Sequence, residues 1–163
     1  MTDTTTREAF GFVVQDFARA HRRVFEKQLQ DAGLNVTLGM ARVLAYIYHY
    51  PGLRQNQLAE GMGVEPMTMV GHLDALERAG LVERVRHTVD RRSKMTRITE
   101  TGYDLIERLK EIGVRVRDTA GADFSLDELE ALQDKLSAMR DRLNAELAKM
   151  PEDVKPYADR VDD

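Results

Sequence analysis

The chain has 163 residues, 42% hydrophobic and 32% charged, with a formal net charge of −4 and no cysteine. The absence of cysteine excludes disulfides, thiolate metal sites, thiol catalysis and thiol redox sensing together. No apolar run approaches the roughly 20 residues of a membrane span, and the opening MTDTTTREAF lacks the basic and apolar regions of a secretory signal, so no membrane partner and a cytoplasmic location are expected.

A first helix is announced by Thr5 with Glu8 three residues on, a capping-box spacing, and carries Phe10, Val13, Val14, Phe17, Ala20, Val24 and Phe25 at helical intervals. Gly33 is suited to end it and Thr37 to cap the next helix, which runs through Met40, Val43, Leu44 and Ile47 to Tyr50, before Pro51-Gly52. A short third helix is expected from Gln55 to Met62, burying Leu58 and Ala59, then a turn in GMGVEP. Pro66 fits the first turn of a fourth helix, where its missing N–H costs little; Met69, Val70, Leu73 and Leu76 line one side, and Gly80 ends it.

The period then changes. LVERVR and MTRIT alternate as two short strands around a polar loop from His87 to Lys94. A fifth helix follows Thr99, with Gly102 tolerated in its first turn and Tyr103, Ile106, Leu109, Ile112, Val116 and Ala120 as its stripe. The sixth opens with Ser125 and Glu128, a second capping box, and repeats Leu126, Leu129, Leu132, Leu136, Met139, Leu143 and Leu147. Residues after Pro151 read as a frayed tail. The expected class is mainly α with a small β-hairpin wing, in the order α-α-α-α-β-β-α-α. The domains divide as a helical dimerisation region, 1–36 and 101–150, a winged helix-turn-helix lobe, 37–100, and a flexible tail, 151–163. The long outer helices are too apolar along one stripe to stand alone and must pack on each other or on a second copy.

Charge is unevenly placed. Residues 81–97 carry a net +4, whereas residues 118–163 carry a net −7, which confines a polyanion-binding surface to the middle of the chain. In a helix-turn-helix the second helix enters the major groove with its N-terminal residues at the base edges. Met67, Thr68 and His72 occupy that position here and are candidate DNA-binding residues, as are Gln55 and Gln57, which begin the helix before it. Thr68 and His72 can donate to bases, but neither makes the bidentate contact of arginine with guanine. Arg91, Arg92 and Lys94 at the hairpin tip are placed to reach phosphates or a narrow minor groove, with Asp90 beside them to fix one guanidinium.

The stretches LGMARVLAYIYHYPGLRQNQLAEGMGV, HLDALERAGLVERV and DRRSKMTRITETG, within residues 38–102, resemble the multiple antibiotic resistance regulator (MarR) family of bacterial transcription factors. The most specific part is Asp90-x-Arg92 followed by Ile98-Thr99-x-x-Gly102. The resemblance implies a homodimer in which the first, fifth and sixth helices interlock and two winged lobes straddle a pseudo-palindromic DNA operator. It also implies a small aromatic or phenolic effector that weakens DNA binding. Family members often place Thr-Arg where Val70-Gly71 stands and Arg where Ala75 stands, so the recognition helix here is poorer in cations, which shifts weight onto the wing. Asp74 matches the family pattern and is expected to pair with a nearby arginine in support of the wing. For the effector, Phe17, His21, Met40, Tyr46, Tyr48 and His49 are candidate lining residues, suited to an aromatic carboxylate or phenol.

No cofactor is implied. The four histidines are dispersed without a metal-clamp spacing, and no Gly-rich phosphate loop or nucleophile elbow is present, so an enzyme is not expected. The expected function is a sequence-specific regulator of transcription acting as a repressor. The alternative is a nucleoid-type structural DNA-binding protein without an effector response.

Overall fold

The computed structural model describes residues 9–86 and 94–149. Six helices and one hairpin follow in the expected order: α1 (Phe10–Asp31), α2 (Leu38–His49), α3 (Gln55–Met62), α4 (Pro66–Arg78), β1 (Val82–Arg86), β2 (Lys94–Ile98), α5 (Glu100–Ala120) and α6 (Leu126–Leu147). The first capping box, Thr5 with Glu8, and the tail after Pro151 lie outside the described residues; α1 starts at Phe10 after Ala9, which makes no side-chain cap.

Local chemistry sets the other boundaries. Thr37 Oγ1 accepts from the Met40 N–H at 3.2 Å, satisfying one orphan donor of α2. Gly33, Gly63 and Gly80 all take left-handed backbone at the ends of α1, α3 and α4. Ser125 and Glu128 cap α6 reciprocally at 2.8 and 3.3 Å, and the Ser125 N–H holds the Glu128 carboxyl below its usual range.

β1 and β2 pair antiparallel from Val82↔Ile98 to Arg86↔Lys94, so Lys94 belongs to the ladder and the strand starts one residue earlier than its alternation implies. Val82, Thr96 and Ile98 face the core, whereas Glu83 and Arg97 face out, the two-residue period of a half-buried ribbon. A backbone bridge from Arg54 to Met95 joins the start of α3 to the hairpin.

The core is a cluster that draws Leu29 from α1, Val43 and Leu44 from α2, Leu58 from α3, Met69, Leu73 and Leu76 from α4, and Ile112 from α5. Two arginines tie α5 to α1: Arg108 donates to the Ala32 carbonyl at 3.1 Å and Arg115 to Gln28 Oε1 at 3.2 Å.

The outer helices depart from a closed core. Leu29 is the buried residue of α1, and α6 has no buried residue at all. Phe10, Phe17, Leu126 and Leu143 are each more than half exposed. The stripes that periodicity marks as core faces are therefore uncovered within one chain.

Gly102 does more than fit a helix start. A Cβ there would run into the Leu81 carbonyl oxygen and stand 2.7 Å from Ile98 Cγ2, so only glycine lets α5 lie against the end of the hairpin. Gly71, in the exposed face of α4, would meet nothing within 4 Å. Gly102→Ala should lower stability by about 1–3 kcal/mol through overpacking against backbone. Gly71→Ala should raise it by about 0.5–1 kcal/mol through helix propensity. Denaturant melts of the two variants check both signs.

Candidate nucleic-acid interface

α3 and α4 meet through the turn at Gly63, and their packing against α2 leaves the first turn of α4 outermost. Glu65, Pro66, Met67 and Thr68 are exposed, whereas Met69 turns inward and is fully buried. The alternation follows from the helix: the residues that face the core anchor α4, and the N-terminal residues between them are free to project.

Met67 and Thr68 are thus displayed as a recognition element requires. His72 is not. Its imidazole is half-buried on α4 and packs against Gly39 in the first turn of α2, so closely that a Cβ on Gly39 would overlap the ring. Burial first, and then the Arg42 guanidinium, hold this imidazole below its ordinary pKa, so it is neutral at pH 7. His72 is better described as a spacer between α2 and α4 than as a free donor. In α3, Gln55 is half-buried and Gln57 is exposed; Gln57 Oε1 accepts from the Arg54 N–H at 2.9 Å, so its carbonyl caps the helix while its amide nitrogen stays available to donate.

Asp74 finds its arginine. Arg84 of β1, itself mostly buried, places Nη2 2.5 Å from Asp74 Oδ1 and Nη1 3.6 Å from Glu77 Oε2. This ion pair joins α4 to the middle of β1. Thr99 completes the junction, donating through Oγ1 to the Gly80 carbonyl at 2.6 Å and accepting from the Gly102 N–H at 3.1 Å. Asp90, Arg91 and Arg92 lie outside the described residues, and Lys94 is the first residue of β2.

A cavity of about 360 Å³ opens between α1, α2 and α5. His21, Tyr48 and His49 line it, as the sequence leads one to expect. Phe17, Met40 and Tyr46 do not. Phe17 is a turn too early on α1 and more than half exposed, Met40 is buried in the core, and Tyr46 lies against Gly61 of α3 with its ring tilted against that of Tyr50, 4.7 Å between centroids. Sequence reasoning also missed the cations of this cavity, Arg22, Arg42 and Lys110, and its apolar floor of Phe25, Leu38, Ala41, Ala45, Ile106 and Leu109. Lys110 Nζ donates to Tyr48 Oη at 3.1 Å and sits 4.6 Å from the centre of the Tyr48 ring; its bond to Glu107, and secondarily to Tyr48, raises its pKa. The lining contributes Arg22, Arg42 and Lys110 and no carboxylate above an apolar floor, although Glu107 pairs with Lys110 at 2.8 Å.

Among the described residues no group of three or more histidines or carboxylates could hold a metal ion, and no helix is long and apolar enough to cross a membrane.

The family model described as "MarR family" matches residues 36–94. Solved structures extend the likeness. A wild-type MarR in its apo form from E. coli is 20% identical, over 83% of this chain and 98% of its own, with a TM-score of 0.72. A MarR transcriptional regulator from Methanosarcina mazei Go1 is 21% identical, over 81% and 94%, with a TM-score of 0.72. A MepR–DNA complex from S. aureus is 22% identical, over 83% and 99%, with a TM-score of 0.67. At these identities the shared feature is the fold, which extends beyond the winged lobe to the outer helices. The winged lobe, residues 36–94, thus matches the MarR family model, and the whole chain shares the fold of solved MarR proteins, one of them named a transcriptional regulator.

Proposed function

We propose that this protein is a cytoplasmic, homodimeric regulator of transcription that binds a pseudo-palindromic double-stranded operator, acts as a repressor and leaves DNA when a small aromatic anion binds. The observation that carries the reading is the display of Met67 and Thr68 on the outermost turn of α4, which the chain follows with a hairpin segment, residues 81–97, of net charge +4 in an acidic sequence. The S. aureus protein of the same fold was solved in complex with DNA, which supports this use of the lobe.

In this reading Arg91, Arg92 and Lys94 bind phosphates or enter the minor groove, and Asp90 orients one of the arginines. The Asp74–Arg84 pair holds the hairpin at a fixed angle to α4. Two lobes carried by one dimer contact half-sites about one helical turn apart. Arg91→Ala and Arg92→Ala should each weaken binding and reduce the slope of log affinity against log salt by about one for each lost phosphate contact. Unchanged affinity and slope would remove the hairpin tip from the interface. Competition with random duplex separates a regulator from a nucleoid-type coat: the regulator keeps its operator against a large excess, and the coat does not.

The cavity supports the effector half of the reading. Its walls are aromatic and aliphatic, its rim carries Arg22, Arg42 and Lys110, and its volume of about 360 Å³ suits a single-ring ligand. Because Arg42 also flanks His72, a ligand seated there adjoins the spacer between α2 and α4. Benzoate should release the protein from its operator, whereas neutral benzamide of the same shape should not, and Arg22→Met should weaken the benzoate response about tenfold. Equal responses to benzoate and benzamide in a fluorescence-anisotropy titration would refute an anion-selective cavity.

A further inference from the structure

The outward face at the start of α4 has an unusual chemistry for a surface that meets a polyanion. Its exposed residues Glu65, Pro66, Met67, Thr68 and Gly71 include no cation, and the first arginine of the helix is Arg78, at its end. Met67 is 78% exposed, the highest value among the exposed large hydrophobic residues described. The fold does not need it there, because the neighbouring Met69 supplies the buried thioether of this turn. Nor does the fold need glycine at position 71, one turn further along the same face, where a Cβ would meet nothing within 4 Å. Beside Met67 the helix therefore presents bare backbone, a low surface over which another molecule can approach closely.

A turn of this composition cannot use the bidentate arginine–guanine contact, and Glu65 repels phosphate while offering only an acceptor to bases. Apart from the Thr68 hydroxyl, what it offers in the groove is apolar surface. In the major groove the thymine C5-methyl is the apolar group on a base edge. We infer that Met67 packs on a thymine methyl, with Gly71 leaving room for the approach, and that this contact makes the protein selective for an A·T pair at one symmetric position of each half-site. The inference rests on the proposed entry of α4 into the major groove and adds what that helix reads there.

The test uses the full chain. Duplexes are first selected from a random pool and the bound site is footprinted; each thymine of a half-site is then replaced by deoxyuridine, which removes the methyl alone. One position per half-site should show a roughly fourfold loss of affinity, the worth of one buried methyl. Met67→Ala should bind the thymine and deoxyuridine duplexes equally at that position while melting like the parent, since Met67 makes no core contact. A footprint with indifference to every such replacement overturns the inference and leaves the DNA-binding reading intact. Discrimination that persists in Met67→Ala overturns it too, by assigning the methyl contact to another side chain such as Thr68. Failure to select or footprint any duplex overturns both.

Discussion

A helix of 22 residues with no buried side chain is not held in place by its own chain. α6 is such a helix, and the N-terminal half of α1 is nearly as bare. Propensity and capping make isolated helices of this length marginal in water, and most helical stability comes from packing an apolar face. The capping box at Ser125 and Glu128 starts α6, but only contact along Leu132, Leu136, Met139 and Leu143 can stabilise its length. A second copy of the chain, offering the same stripes in return, satisfies this constraint with self-complementary surfaces. One lobe displays one α4, and the proposed operator contact requires the two that a paired copy would hold at a fixed separation.

Within a single lobe, the orientation of α4 is set by three contacts of different kinds. Its buried residues Met69, Leu73 and Leu76 seat it in the core. The neutral His72 ring spaces it from α2 at Gly39, and the Asp74–Arg84 pair ties it to β1. Gly102 lets α5 lie against the open end of the same hairpin, at Leu81 and Ile98, so α5 joins the winged lobe directly. The cavity lies between α1, α2 and α5. Tyr48 lines it, and its ring also contacts Tyr103 of α5 edge-on at 6.3 Å, next to the groove behind the hairpin. The cavity therefore borders α2 and α5, the elements packed against α4 and the hairpin, and under the proposed function a ligand there would act on the DNA-binding lobe through that close packing.

Much of this was legible in the order of residues. Local signals survive in one dimension: Thr37 and Ser125 cap the helices they precede, Gly33, Gly63 and Gly80 take the left-handed backbone, and the change of period at Leu81 marks the hairpin. What was not legible depends on three dimensions. Arg22, Arg42 and Lys110 converge from three helices, and Lys110 meets Tyr48 across 62 positions of sequence. No periodicity announces such a meeting. Phe17 and Met40 were plausible aromatic or soft lining residues by type, but a one-turn offset put the first outside the cavity and core packing claimed the second. His72 shows the same limit, since polarity on an outward-reading helix position does not reveal that a glycine on a neighbouring helix makes room for its ring.

The direct test of the central claim is the mass of the intact protein in solution. Sedimentation equilibrium at micromolar concentration should give twice the 18.6 kDa chain mass, because the apolar faces of α1 and α6 are then covered by the partner copy. A well-folded species sedimenting at 18.6 kDa across that range would contradict it, since those faces would then persist uncovered in water.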